Sequence, residues 1–126
     1  QKATVCAMHM DPATSQDIIN MRNVFLKRRD LVYQGLCDIP GLKVRLPQGA
    51  FYFFPDVSAY FGKSFNGKRM ENSTDIAFYL LNEANVATVM GSAFGDDNCI
   101  RLSYATSEEL LIEALRRMKE AFAKLQ

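Results

Sequence analysis

The sequence has few of the residues that build a metal centre or a disulfide scaffold. His9 is the only histidine, and the three cysteines, Cys6, Cys37 and Cys99, are far apart and odd in number. Zinc sites need closely spaced Cys and His pairs, and small secreted domains need paired cysteines. We therefore expect no metal site, and we interpret the cysteines as reduced structural residues of a cytoplasmic protein.

Other classes of protein are disfavoured by further absences. No apolar run approaches the roughly 20 residues that a membrane span needs, and no glycine-rich phosphate loop or G-x-S-x-G motif is present. The 15 basic and 14 acidic residues give a net charge of +1 and are interspersed, so we expect no nucleic-acid partner. The chain lacks both a leader and an initiator Met, and we expect it to be a fragment of a longer protein.

What is present is a one-domain chain of 126 residues, 48% of them hydrophobic, which opens with helical patterns. Residues 1–9 are compatible with the end of a helix. A second, long amphipathic helix is predicted from Thr14 or Ser15 to about Cys37, where Pro40-Gly41 ends it. The basic cluster Lys27–Arg29 is interpreted as its solvated face.

The middle of the sequence favours strands. Leu42, Val44 and Leu46 alternate with basic residues, which predicts a strand over 42–46. After the turn at 47–49, the apolar run 50–54 predicts a second strand buried on both faces. The polar segment 62–72 is predicted to be a surface loop.

The second half repeats this order of elements. Asn72 or Ser73 is predicted to cap a helix that runs to about Ala84, and strands are predicted at 86–90 and 99–104. The series Thr106-Ser-Glu-Glu109 predicts a capping box for a last helix with Leu110 and Leu111 facing inward. The sequence therefore predicts an α+β fold, with a small, mostly antiparallel sheet covered by helices and long helices toward both ends.

Arg101 is the residue whose position invites a functional interpretation. Alternation along its strand places Ile100 and Leu102 on one face and Cys99, Arg101 and Ser103 on the other. A guanidinium in mid-strand must reach solvent or a partner, because an unpaired buried charge is strongly unfavourable. The residues alone leave three alternatives open: an exposed edge arginine, an internal ion pair, or a ligand for a carboxylate.

Three strings of residues, in this order, resemble the C-terminal segment of fold-type I, class I/II aminotransferases, closest to the aspartate aminotransferase-like branch. They are Pro47-Gln-Gly-Ala-Phe-Tyr52, Val89-Met-Gly-Ser-Ala-Phe-Gly95 and Ile100-Arg-Leu-Ser-Tyr-Ala105. The resemblance implies that 1–126 is the small domain and that 1–13 connects it to a large domain absent from this chain. It also implies that Arg101 binds the substrate α-carboxylate and that Phe51 lies at the edge of the substrate pocket. Met90 stands where the family usually has proline.

The same resemblance implies the chemistry of a longer protein. That protein would use pyridoxal 5'-phosphate to transfer an amino group between an amino acid and a 2-oxo acid, and aspartate is the amino acid that the resemblance favours. It would be a homodimer. The family's cofactor lysine and its neighbours are missing, so catalytic and cofactor-binding residues are expected to be none in this fragment, which alone would bind no cofactor and be inactive. Two alternatives remain: a stand-alone amino-acid-binding or regulatory domain, and a purely structural domain.

Overall fold

Four helices and five short strands make up the computed structural model, which describes residues 1–126. The helices are α1 (Lys2–His9), α2 (Gln16–Cys37), α3 (Ser73–Ala84) and α4 (Glu108–Ala123). The strands are β1 (Tyr52–Phe53), β2 (Ser64–Phe65), β3 (Lys68–Arg69), β4 (Val89–Met90) and β5 (Ile100–Ser103). None of the helices combines the length and the hydropathy that crossing a membrane requires. The predicted α+β class is confirmed.

The main sheet has three antiparallel strands in the order β1-β5-β4, so β5 is its central strand. Tyr52 pairs with Ser103, and Val89 pairs with Arg101. Paired residues and residues two apart share a face of a sheet. One face therefore carries Tyr52, Val89, Arg101 and Ser103, while Ile100 and Leu102 point to the other, as the alternation predicted.

The hydrophobic core lies between the second of these faces and the helices. Helix α4 packs against α2 and α3, and α3 also lies along β4 and β5. Core residues less than 2% exposed come from nearly every element; they include Leu36, Ile39, Phe53, Val57, Met70, Ile76, Leu80, Ile100 and Met118. The helices thus cover one face of the sheet and leave the face that carries Arg101 uncovered.

Helix starts and stops follow the sequence closely, with one correction. Asn72 caps α3, its side chain accepting a hydrogen bond from the Asp75 amide at 3.0 Å. The capping box predicted at Thr106 is wrong, because Ser107 is the N-cap of α4 and accepts from the Leu110 amide. Leu111 is 6% exposed, but Leu110 is 62% exposed, so the prediction that Leu110 faces inward is wrong.

The strands predicted over 42–46 and 50–54 need larger corrections. In the first segment only Lys43 forms a bridge, to Asp56, which also bridges Cys99. No strand pairing continues along the rest of the segment. In the second, Ala50 adopts a left-handed φ of 58°, so the extended geometry starts only after it, in β1. Phe53 is 1% exposed but its neighbour Phe54 is 40% exposed. Burial therefore alternates, and the prediction of burial on both faces is wrong.

The predicted loop at 62–72 contains the hairpin formed by β2 and β3. Its turn residues Asn66 and Gly67 both have positive φ, 48° and 79°, as a type I′ turn requires. Met70, directly after the hairpin, is 1% exposed. An Asn-Gly pair is a strong hairpin signal, but the polar composition around it hid the strands.

Candidate functional site

Arg101 lies half-buried in the middle of the main sheet, on the face that the helices leave uncovered. Its position in β5, with β1 on one side and β4 on the other, rules out an edge arginine. The seven ion pairs of the chain, all with N···O distances within 4.0 Å, do not include it. Two of the three alternatives raised by the sequence, an edge residue and an internal ion pair, are thereby removed.

Two aromatic rings contact the guanidinium instead. Its central carbon, Cζ, lies 4.5 Å from the ring centroid of Tyr52 and 4.3 Å from that of Phe94. Rings at such distances attract a cation through their quadrupole and can stack on the flat guanidinium. The N–H groups at the edge of Arg101 stay available to a planar acceptor such as a carboxylate.

The rings around Arg101 form an aromatic rim, which we define as Phe51, Tyr52, Phe54 and Phe94. Three of these rings are well exposed: Phe51 by 39%, Phe54 by 40% and Phe94 by 48%. Phe94 makes an edge-to-face contact with Phe54 at 6.2 Å between centroids, and Phe51 lies against Tyr52 at 4.4 Å. Grouped exposed aromatics next to a cation are typical of a binding surface.

The sequence singled out two of the residues in this region and did not single out two others. Arg101 and Phe51 lie in the same region, but Tyr52 and Phe94 are the rings in contact with the guanidinium. Phe51 instead packs between Tyr52 and Phe25 of α2, 6.1 Å away. Alternation from Phe51 placed Tyr52 on the other side of β1, yet only the β1–β5 register shows that this side carries Arg101.

A turn before β1 is tied to the core by Tyr104. Its hydroxyl donates to the carbonyl of Ala50 at 2.9 Å, and its ring packs 5.5 Å from that of Phe53. Burial is the main reason that the pKa of Tyr104 is raised above its usual value. This contact fixes the point at which β1, and with it Tyr52, begins.

A groove of about 690 Å³ adjoins the aromatic rim and shares Tyr52 and Phe54 with it. Within the groove, Lys43 pairs with Asp56 at 3.2 Å. Although burial works against it, hydrogen bonds from Ser58 and Lys43 hold the pKa of Asp56 below its usual value. Lys43 and Asp56 thus neutralise each other in the groove, whereas Arg101 has no ion-pair partner.

Cys99, also in this groove, is held in its thiol form. Burial first, and then its hydrogen bond to Asp96, raises the pKa of the Cys99 thiol to about 11. A thiol reacts through its thiolate, which is scarce at neutral pH when the pKa is so high. All three cysteines are free, and no group of three or more His, Cys, Asp or Glu side chains could hold a metal ion.

Comparison with known proteins relates the chain to a protein family. The family model described as aminotransferase class I and II matches residues 1–118. The chain is 41% identical to the bifunctional aspartate aminotransferase and glutamate/aspartate-prephenate aminotransferase of Petunia hybrida, over 100% of this chain and 26% of that protein.

Solved structures agree in fold. The aspartate aminotransferase of Rhizobium meliloti matches with a TM-score of 0.90 and 43% identity, over 98% of this chain and 30% of that one. The aspartate aminotransferase of Thermus thermophilus with maleate matches with a TM-score of 0.70 and 38% identity, over 82% of this chain and 24% of that one. The chain spans less than a third of each of these three proteins. Since the family match runs through nearly all of its residues, the chain belongs to the aminotransferase class I and II family.

Proposed function

We propose that this chain is the C-terminal small domain of a pyridoxal-phosphate-dependent aspartate aminotransferase, and that its Arg101 binds the α-carboxylate of the substrate. The observation that carries the proposal is the environment of Arg101. Its guanidinium lies half-buried in a central strand, against the rings of Tyr52 and Phe94, with no carboxylate of its own chain within ion-pair distance. A carboxylate from outside the chain would complete this site.

The chemical task of such an arginine is placement. A guanidinium can hold a carboxylate through two parallel hydrogen bonds, which fix orientation as well as position. The two rings restrict the guanidinium before the ligand arrives, so less conformational freedom is lost on binding. Holding an amino acid in one orientation beside a reactive group turns an encounter into an oriented, effectively unimolecular step.

The residues of this chain do not fit a pyridoxal-phosphate site by themselves. All seven lysines are exposed, and Lys27, Lys43 and Lys68 are paired with carboxylates. Lys43 lies in the groove beside the aromatic rim, but it is 75% exposed and bound to Asp56. We therefore place the cofactor and its lysine outside residues 1–126 and expect the isolated chain to be inactive.

Names of the relatives suggest the substrates. The Petunia protein is an aspartate and a glutamate/aspartate-prephenate aminotransferase, and the Thermus structure holds maleate, a four-carbon dicarboxylate. We accordingly propose aspartate as the amino donor and a 2-oxo acid as the acceptor, with prephenate as an acceptor to be tested. A transamination assay of the parent protein, meaning the natural protein in which these 126 residues occur, should show activity with aspartate. Its absence with every amino acid tried would favour a binding domain without catalysis.

The role of Arg101 is tested by Arg101→Lys in the parent protein. A lysine keeps the charge but loses the bidentate contact, so maleate and aspartate should bind more weakly by about 1.5 to 3 kcal/mol, the size of a hydrogen bond to a charged group. Calorimetric titration measures the ligand affinity, and the absorbance of the cofactor measures its retention.

Arg69→Lys, an exposed change on the β3 hairpin, serves as the matched control and should leave both affinities unaltered. An equal loss of ligand and of cofactor in Arg101→Lys would contradict the proposed role, as would an unchanged affinity for maleate.

A further inference from the structure

Phe94 reaches Arg101 from the connection between β4 and β5, residues 91–99. Hydrogen bonds among its own residues hold this connection together. Gly91 starts a short 3-10 turn, and Asp96 donates its amide back to the Gly91 carbonyl at 3.2 Å. The Cys99 amide in turn donates to the Asp96 carbonyl at 3.3 Å. A Cβ atom at Gly91 would lie 2.1 Å from the carbonyl oxygen of Cys99. The connection therefore behaves as one compact unit whose place depends on what holds it from outside.

From outside, the Val57 amide donates to the Asn98 carbonyl at 2.8 Å, and Ser73 at the start of α3 makes the side-chain contact to the connection. Ser73 is the one polar residue among the buried residues of the chain, with 0% exposure. Its hydroxyl donates to Asp97 Oδ1 at 2.5 Å, and its amide donates to the same oxygen at 3.2 Å. The Ser92 amide donates to the Ser73 hydroxyl at 3.4 Å. A carboxylate that accepts an amide at a helix N-terminus is further favoured by the helix dipole.

We propose that this Asp97–Ser73 contact is a latch that positions Phe94 on Arg101 and so sets the affinity of the carboxylate site. The inference rests on the proposed function of Arg101 and adds two positioning residues, Asp97 and Phe94, to it. The series of contacts is continuous: α3 holds Asp97, Asp97 holds the connection, and the connection places the Phe94 ring 4.3 Å from the guanidinium.

Phe94 has little else to hold it in place. It is 48% exposed. Its ring contacts the ring of Phe54, 6.2 Å away between centroids, and the guanidinium of Arg101. When the latch is opened, the connection gains freedom, and the cost of ordering it again falls on ligand binding. An Arg101 that is no longer restrained on the Phe94 side also keeps more alternative rotamers, which lowers its affinity for a carboxylate.

A double-mutant cycle in the cofactor-loaded parent protein tests the latch, with maleate titrated calorimetrically as the probe. Asp97→Ala and Phe94→Leu should each weaken maleate binding by roughly 3- to 30-fold, the range that a cation–π contact spans. Because both changes act through the same ring, the double variant should bind no more weakly than Phe94→Leu alone. Independent effects, in which the two losses multiply, would overturn the proposal.

Two further variants separate positioning from a general loss of structure. Asp97→Asn keeps an oxygen that can accept from Ser73 and should restore most of the affinity lost in Asp97→Ala. Asp38→Ala, at the exposed end of α2, should leave maleate binding unchanged. If Asp97→Asn binds maleate as weakly as Asp97→Ala, the Ser73 hydrogen bond is not the cause and the latch is refuted.

Arg101→Lys, measured in the same titration, separates the proposed function of Arg101 from the latch. If it leaves maleate affinity unchanged, the proposed function of Arg101 fails and the latch fails with it. If Arg101→Lys weakens binding while Asp97→Ala does not, the carboxylate site stands and only the latch is overturned.

Discussion

Arg101 is presented to a ligand by neighbours of very different size. The rings of Tyr52 and Phe94 hold the flat guanidinium, while Gly91 lets the connection that carries Phe94 fold back on the start of β5. Lysine in place of Arg101 would offer neither a planar group for stacking nor a fork for a carboxylate. The site therefore depends on the two rings that contact Arg101 and on the glycine that allows Phe94 to reach it.

Gly91 should be the glycine least able to accept a side chain. In Gly91→Ala the new Cβ would lie 2.1 Å from the Cys99 carbonyl oxygen and 2.2 Å from that of Asp96, both of them backbone atoms that cannot turn aside. Overpacking of this kind typically costs about 1 to 3 kcal/mol or more, so we expect a loss of that size in urea unfolding. Gly49→Ala, where the new Cβ meets no atom within 4 Å, is the control. Equal stabilities for the two variants would show that the connection can relax.

For single residues, the sequence singled out Arg101 but did not predict which side chains contact it. Arg101 drew attention because a charge in mid-strand needs an explanation, and alternation assigned its face correctly. Tyr52 and Phe94 were missed as its contacts because each depends on tertiary structure: Tyr52 on the β1–β5 register, Phe94 on the path of a connection. The pocket-edge role of Phe51 stays a prediction from resemblance.

Helices were predicted more accurately than strands for a physical reason. A helix satisfies its hydrogen bonds within one segment, so neighbouring residues in the sequence determine the cap at Asn72 and the end near Cys37. A strand exists only beside a partner. The alternating segment 42–46 finds a partner at Lys43 alone, whereas the polar residues around Asn66-Gly67 form a hairpin because their turn brings them together.

The contact between α3 and α4 includes a buried hydrogen bond that can be removed without changing shape. Tyr79, 5% exposed, donates its hydroxyl to the Ala121 carbonyl in the last turn of α4 at 2.7 Å. Tyr79→Phe leaves that carbonyl without this donor and should lower the free energy of unfolding by about 1 to 2 kcal/mol. Equilibrium urea unfolding near pH 7 measures the difference, and a loss below the error of the experiment would mean that water replaces the hydroxyl.

The difference in free energy of unfolding between the native chain and the Tyr79→Phe variant should depend on pH. Burial, and then the nearby Glu83, raises the pKa of Tyr79 above its usual value of 10.0. A raised pKa in the folded state contributes stability that is complete below the unfolded pKa and is lost as the pH rises above it. The stability advantage of the native chain over the Tyr79→Phe variant should therefore be constant up to about pH 9 and shrink above about pH 10. An advantage that grew with pH would contradict this assignment.

Burial is distributed unevenly over the whole molecule. Helices α3 and α4 and strand β5 carry the core, whereas α1 has no buried residue at all and Met21 and Val24, in the first half of α2, are 55% and 43% exposed. The chain also spans less than a third of the relatives described above. These observations support the proposal that residues 1–13 connect the domain to another part of the parent protein, against which α1 would pack.

Amide hydrogen exchange measured by mass spectrometry tests this division. An eight-residue helix that buries nothing is marginal in water, because isolated helices shorter than about 12 to 15 residues gain too little from their own hydrogen bonds. In the 126-residue chain alone, peptides from α1 should exchange within seconds, while those from α3, α4 and β5 should be protected by global stability. In the parent protein, protection of α1 should rise by at least about tenfold if another part of the chain covers it. Protection of α1 equal to that of α4 in the isolated chain would place α1 within the domain, and unchanged exchange in the parent protein would remove it from any interdomain contact.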